Sequence, residues 1–293
     1  LASLHNKVIS PEQAAEFFED GMTVGMSGFT RAGEAKAVPL ALVQRAKANP
    51  LKITLITGAS LGNDLDKQLT EAGVLARRLP FQVDNTLRKA INKGEVMFID
   101  QHLSETVEQM RNQQLKKPDV AVIEAVAITE DGGIIPTTSV GNSASFAIFA
   151  EKVIVEINTN LSPAFEGLHD IYIPTYRPTR QAIPLTQVDE RIGTHAINID
   201  PSKIVGIVFN SELHDSPSTV TAPDDETQSI ANHLIAFFEK EVAEDRLPKN
   251  LGPLQAGIGS IANAVLTGLK DSNFEDLIMY SEVLQDCTFE LID

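Results

Sequence analysis

The sequence predicts an α/β fold: an open, mostly parallel sheet covered by helices, followed by the start of a second, similar α/β domain. Three observations carry this expectation. Short runs rich in β-branched residues recur at 24–26, 53–56, 96–99, 120–123, 153–157, 204–209 and 277–280. They are mostly apolar rather than alternating, as suits parallel strands buried on both faces beneath helices. Helical spacing fills the gaps between them, and strand, helix, strand in that rhythm builds an open sheet. A turn- and proline-rich stretch, Ser216-Pro217-Ser218-Thr219 through Ala222-Pro223-Asp224-Asp225, interrupts the pattern before it resumes.

Taken in order, Ser10-Pro11-Glu12-Gln13 opens the first helix. A capping serine precedes a first-turn proline, and Gln13 stands three residues after the cap. After the strand at 24–26, Gly25, Gly28 and Gly33 supply flexible backbone, suited to close approach by a ligand or to an ordinary turn. Helices are expected at 38–48 and 104–114. Beyond residue 225 a long helix is expected with Ile230, Leu234, Phe237, Phe238 and Val242 on one face. A strand at 254–257, a helix from about Ser260 and the strand at 277–280 then begin a new βαβ unit. Such a set cannot close a sheet or bury both its faces. The expected organisation is therefore an N-terminal domain over 1–222 and the first part of a second, truncated one over 223–293.

Composition narrows the function. Hydrophobic residues at 43% and charged ones at 22% exclude a disordered chain. With 24 Lys and Arg against 40 Asp and Glu the formal charge is −16, which argues against nucleic acid as a partner. The longest candidate membrane stretch, 145–157, is broken by Glu151, Lys152 and Glu156, so no membrane span is expected. The single cysteine, Cys287, excludes an intrachain disulfide and reads as a core thiol rather than a nucleophile. His5, His102, His169, His195, His214 and His233 show no paired spacing, and no metal site is expected. No targeting peptide is visible, so the expected location is the cytoplasm.

Three local motifs could carry chemistry. Gly257-Ile258-Gly259-Ser260-Ile261-Ala262 lies between a strand and a helix in the G-x-G-x-x-G/A form. Its glycines let backbone N–H groups approach a phosphate at a helix N-terminus, with Glu282 as the acidic residue further on; the alternative is a tight strand-to-helix turn. Thr57-Gly58-Ala59-Ser60-Leu61-Gly62 reads three ways. As a dehydrogenase turn it has Asp64 where the last glycine belongs, and as G-x-S-x-G it offers Ser60 as a hydrolase nucleophile. Its third reading is a ligand-gathering loop at a strand's carboxyl end. Gly141 and Asn142 open a helix and suit either a cap or a substrate carboxylate. Glu282 by itself also reads as a solvated acidic cap.

Taken together, Asp20-Gly21 through Gly28-Phe29, the run Gly132-Gly133-Ile134-Ile135-Pro136-Thr137-Thr138-Ser139-Val140-Gly141-Asn142, Gly257-Ile258-Gly259-Ser260-Ile261-Ala262-Asn263-Ala264-Val265 and Tyr280-Ser281-Glu282-Val283-Leu284-Gln285-Asp286 resemble the acetyl-CoA hydrolase/transferase family of class I CoA-transferases. The last two motifs, as an ordered pair, are the specific ones. The resemblance implies two similar open α/β domains with acyl-CoA between them. It implies that Gly257, Ile258, Gly259, Ser260 and Ile261 match the CoA-binding stretch and that Glu282 matches the glutamate that becomes acylated. It implies coenzyme A as substrate with no prosthetic group, short carboxylic acids as partners, and a homodimer. In the family the chain continues well past the glutamate motif, whereas here Asp293 lies eleven positions after Glu282. The 293-residue chain alone is thus expected to have little transferase activity.

The implied chemistry suits these residue types. A carboxylate is ionised at neutral pH and can attack a thioester without a metal or a general base. Backbone N–H donors must then stabilise the tetrahedral oxygen; losing one such donor typically costs about 3 kcal/mol. Excluding water favours transfer, and admitting it turns the same intermediate into a hydrolase product. Acetyl-CoA hydrolase and a non-catalytic CoA- or nucleotide-binding subunit are the alternatives.

Overall fold

A computed structural model of the chain describes residues 2–216 and 222–292. The chain forms two compact units, Leu1–Ile183 with Ile192–Ser216, and Pro184–Arg191 with Pro217–Asp293. The first unit runs α1 (Ala2–His5), α2 (Pro11–Ala15), β1 (Thr23–Met26), α3 (Ala37–Ala48), β2 (Ile53–Ile56), α4 (Leu65–Glu71), β3 (Leu75–Leu79), α5 (Asn85–Asn92), β4 (Met97–Phe98), α6 (Leu103–Arg111), β5 (Val120–Ile128), β6 (Ile134–Pro136), α7 (Ser143–Phe149), β7 (Lys152–Asn158) and β8 (Ile204–Asn210). The second contains α8 (Asp225–Ala243), β9 (Pro253–Leu254), α9 (Ser260–Lys270), β10 (Ile278–Met279) and a closing 3₁₀ turn, Asp286–Leu291. Among the described residues no helix is long and apolar enough to cross a membrane.

The first unit is a sheet in the order β4-β3-β2-β1-β5-β7-β8, parallel along that path, with β6 antiparallel against β5. Sequential strands are laid down in one direction from β1 to β4, and the chain then returns to β5 on the other side of β1. Such a reversal opens a crevice at the carboxyl ends of the two central strands. Successive residues of a strand face opposite sides, and here each side has its own core. Val24, Met26, Val120 and Val122 pack with Phe18, Leu42, Leu65 and Leu69. Ala121, Ile123 and Ala125 pack instead with Phe146, Ala147 and Met110. Apolar runs without alternation are what two covered faces demand.

The expected strands all appear, but the runs at 96–99 and 277–280 only as the two-residue β4 and β10, and the strand expected at 254–257 only as the two-residue β9, Pro253–Leu254. The capping box at Ser10 forms as read, with Gln13 bonding back at 2.9 Å. The long helix differs. Ala231, Ile235, Phe238 and Val242 face the second unit's core, whereas Ile230 and Phe237, expected on the same face, are exposed. An apolar stripe wider than one neighbour covers was read as a single face. The boundary expected at 222/223 adjoins residues 217–221, which lie outside the described residues.

Close packing across the sheet makes one position sharply testable. A Cβ added to Gly25, in the middle of β1, would lie 2.8 Å from Cγ of Phe146. Gly25→Ala should therefore destabilise the first unit by about 1–3 kcal/mol through overpacking. A lower denaturant midpoint at unchanged slope is the expected reading.

Candidate functional site

In the second unit β9 and β10 pair in parallel, Pro253 opposite Ile278 and Leu254 opposite Met279. Both strands therefore deliver their chains at the same edge. The glycine turn leaves one and the Glu282 segment leaves the other. Side chains stitch the two together: the Ser281 hydroxyl donates to the Ala256 carbonyl at 3.1 Å, and the Gln285 amide donates to the Gly257 carbonyl at 2.6 Å. The structure thus brings the predicted residues to one place. Gly257, Ile258, Gly259, Ser260 and Ile261 are all exposed, as is Glu282, which makes no hydrogen bond or ion pair among the described residues.

The two glycines of the turn have different reasons to be there. Gly259 sits at φ +125° at the N-cap of α9, a conformation that L side chains rarely adopt. Gly257 has no such need, because a Cβ there would meet no atom within 4 Å. Nothing inside the described chain requires its smallness. Ile258 and Ile261 stand 61% and 52% exposed beside it, apolar surface at the mouth of a turn. Cys287 is a core residue beneath, its Sγ 3.5 Å from Asn263 Oδ1, and burial pushes its thiol pKa up. This matches the core-thiol reading and removes it as a nucleophile.

The first unit holds a second polar constellation that sequence reasoning missed. At the β1/β5 crevice, the buried Lys36 ammonium lies 2.6 Å from Glu124 and 2.7 Å from Asp215. Glu124 also accepts from Thr137 at 2.6 Å and from Asn158 at 2.9 Å. Glu156, on the neighbouring strand and paired with Glu124 in register, accepts from the backbone N–H groups of Lys36, Ala37 and Val38 at 2.8, 2.9 and 3.0 Å. The helix N-terminus after β1, where an α/β sheet often takes a ligand's phosphate, is filled by the chain's own carboxylate. A signal was present: Glu124 and Glu156 each interrupt an otherwise apolar run, and charges rarely sit in such runs without partners.

Thr57-Gly58-Ala59-Ser60-Leu61-Gly62 is shaped from below by Arg78, which is fully buried on β3. Its guanidinium grips Asp66 at 2.8 and 3.2 Å, donates to the Thr57 hydroxyl at 2.8 Å and to the Ala59 carbonyl at 3.3 Å, and also meets the Leu79 carbonyl. All five of its N–H donors are thereby used. Ser60 does not form a nucleophile elbow. Its backbone is not in the strained positive-φ region, α4 begins only at Leu65, and no histidine bonds its hydroxyl among the described residues. Gly141 and Asn142 do open a helix, α7, with Asn142 at the N-cap making no side-chain cap bond. The rest of that motif is structural: Thr137 serves Glu124, and the Ser139 hydroxyl donates to the Ala32 carbonyl at 2.8 Å.

Glu34 completes the cluster. One carboxyl oxygen accepts from the Asn63 amide at 2.9 Å, and the other is buried without a partner. Burial raises its pKa from 4.5 to about 7; Lys36 opposes the rise and Asp215 adds to it. Between those values the native chain holds a proton that the unfolded chain has lost, so stability falls as pH rises. The contribution is complete below about 4.5 and gone above about 7, a span of about 3 kcal/mol at most. Glu34→Gln should abolish this slope. Urea titrations of both proteins from pH 4.5 to 8 check it, and parallel profiles would refute it.

The model of the acetyl-CoA hydrolase/transferase N-terminal domain matches residues 2–209. The chain is 44% identical over 292 residues to succinyl-CoA:acetate CoA-transferase of Clostridium kluyveri, covering 99% of this chain and 54% of that protein. It is 43% identical over 296 residues to acetyl-CoA hydrolase of Schizosaccharomyces pombe, covering 98% and 56%. RipA of Yersinia pestis shares the fold, with a TM-score of 0.69 at 19% identity over 98% of this chain and 59% of RipA. The chain spans about half the length of the curated relatives it matches. An open, mostly parallel sheet, a glycine turn beside Glu282 and a family model matching residues 2–209 agree: the chain belongs to the acetyl-CoA hydrolase/transferase family.

Proposed function

We propose that the protein moves coenzyme A between a short-chain acyl-CoA and a carboxylate such as acetate, propionate or succinate. Glu282 is the group that is acylated, and Gly257, Ile258, Gly259, Ser260 and Ile261 form the CoA-binding turn. The observation that best supports this is the parallel pairing of β9 and β10, which sets an unpaired carboxylate and an open glycine turn at one sheet edge. Coenzyme A is a substrate in this reading, and no prosthetic group takes part. Residues 1–222 form the N-terminal domain and 223–293 the first part of a second one. The protein acts as a homodimer in the cytoplasm.

Each step balances. A Glu282 carboxylate oxygen attacks the thioester carbonyl, and collapse of the tetrahedral adduct expels CoA thiolate, leaving an acyl–glutamyl anhydride. The thiolate then attacks the glutamyl carbonyl and releases the first acid, leaving a glutamyl–CoA thioester. The second acid reverses the sequence, so turnover is ping-pong. Binding energy from the remote parts of CoA holds the reacting atoms together. Ser60, Gly141 and Asn142 belong to the reading only as substrate contacts. Hydrolysis is the second reading, favoured by the acetyl-CoA hydrolase among the relatives and by the exposure of Glu282.

Mass spectrometry after incubation with acyl-CoA tests the nucleophile. A CoA adduct should appear on Glu282, convert to a hydroxamate with hydroxylamine, and vanish in Glu282→Ala, with turnover lower by on the order of 10³-fold or more. Full turnover in Glu282→Ala, or an adduct on Ser60, would overturn the proposal. Gly257→Val tests the turn. Because the described structure leaves room for the side chain, its melting temperature should match the parent's, while KM for acyl-CoA rises about tenfold.

A further inference from the structure

We propose that Gln285, assisted by Ser281, is a positioning residue that turns the peptide planes of the glycine turn so that successive N–H groups face incoming CoA. The inference rests on the reading of the residues from Gly257 to Ile261 as the CoA site. The carbonyls of Ala256 and Gly257 are both engaged from the Glu282 side, by the Ser281 hydroxyl at 3.1 Å and the Gln285 amide at 2.6 Å. In a trans peptide the C=O and the N–H point in opposite directions. The N–H groups of Gly257 and Ile258 therefore point away from those side chains. Neither donates a hydrogen bond among the described residues. Both belong to exposed residues, one turn before the N-terminus of α9.

Two further observations make Gln285 the deciding group. Gln285 occupies the N-cap position of the 3₁₀ turn Asp286–Leu291, yet its side chain makes no cap bond there. It reaches instead to a carbonyl 28 residues away. Around Gly257, moreover, no packing resists rotation of the peptide, since even an added Cβ would touch nothing within 4 Å. Glycine imposes no preference of its own. With neither sterics nor packing choosing the plane, the side-chain bond chooses it. Only a donor suits a carbonyl acceptor, so the amide NH₂ is the part that matters. The same two bonds tie the Glu282 segment to the turn, so the nucleophile and the CoA donors share one frame.

The full protein decides the matter through Gln285→Met, close in size but without a donor, with Ser281→Ala as the second variant. For Gln285→Met, KM for acyl-CoA and the dissociation constant of free CoA should rise about 3- to 10-fold, the range for one lost hydrogen bond. KM for the carboxylic acid and the melting temperature should stay put. Gln285→Glu sets a carboxylate against the carbonyl and should lose more. Unchanged CoA affinity in Gln285→Met and Ser281→Ala, or a uniform loss of both substrates with falling melting temperature, would overturn the inference. Glu282→Ala run alongside separates the two claims. Should it keep full turnover, the acylation reading fails, while titration with free CoA still decides Gln285. Should it be inactive with Gln285→Met silent toward CoA, only the positioning role fails.

Discussion

Parallel strands all discharge their chains at one edge of a sheet, and the constraint organises both units. In the first, the loops after β1 and β2 gather at the crevice made by the β1/β5 reversal, close enough that a Cβ on Gly58 would lie 2.6 Å from the Gly28 carbonyl. In the second, the same constraint sets the glycine turn beside the glutamate segment with only two strands to do it. The outcomes differ. The first unit fills its edge with its own charges, while the second leaves donors and a carboxylate uncovered among the described residues. An edge whose N–H donors are already taken is scaffold, and an edge with free N–H groups is where a ligand's negative charge finds partners.

The filled edge has a demanding electrostatic arrangement. Lys36 is one cation among Glu34, Glu124, Glu156 and Asp215. Burial raises the pKa of Glu124 and Glu156, against the pull of Lys36 on the first and of three backbone N–H groups on the second. Lys36 is itself held above the ordinary lysine range by Glu124 and Asp215, despite burial. Removing one member of such a set strands the others, which typically costs about 3–5 kcal/mol. The network spans β5, β7, the start of α3 and the segment after β8. It fixes the crevice loops in place, which parallel pairing alone cannot do.

Much of this was legible in the sequence because it is local. Runs rich in β-branched residues announced β2, β7 and β8, and the capping box at Ser10 announced α2. The glycine turn and the Glu282 segment were legible as short contiguous motifs between recognisable elements, while the roles proposed for them came from the resemblance. What was missed depends on register or on long-range partners. β3 was hidden because Leu75–Leu79 carries Arg77 and Arg78, and only Asp66, Thr57 and the carbonyls of Ala59 and Leu79 explain a buried guanidinium. Glu124 and Glu156 appeared as interruptions until pairing of β5 with β7 set them side by side. Helix α8 was read as one-faced because periodicity marks apolar positions without saying which neighbour covers them.

The contrast between Glu34 and Glu282 bears on how one fold serves both transfer and hydrolysis. A buried carboxyl such as Glu34 holds its proton toward neutral pH and makes a poor nucleophile. In the proposed mechanism the nucleophile is instead Glu282, which lies exposed beside an open turn. On that proposal the same exposure would let water reach the acyl group on the glutamate. Anhydride and glutamyl thioester are each as open to hydroxide as to an incoming acid, and the product ratio follows from what covers the site during the lifetime of the intermediate. Under the proposed mechanism, transfer and hydrolysis would then differ in how long the coenzyme and the second acid keep water away from the glutamate.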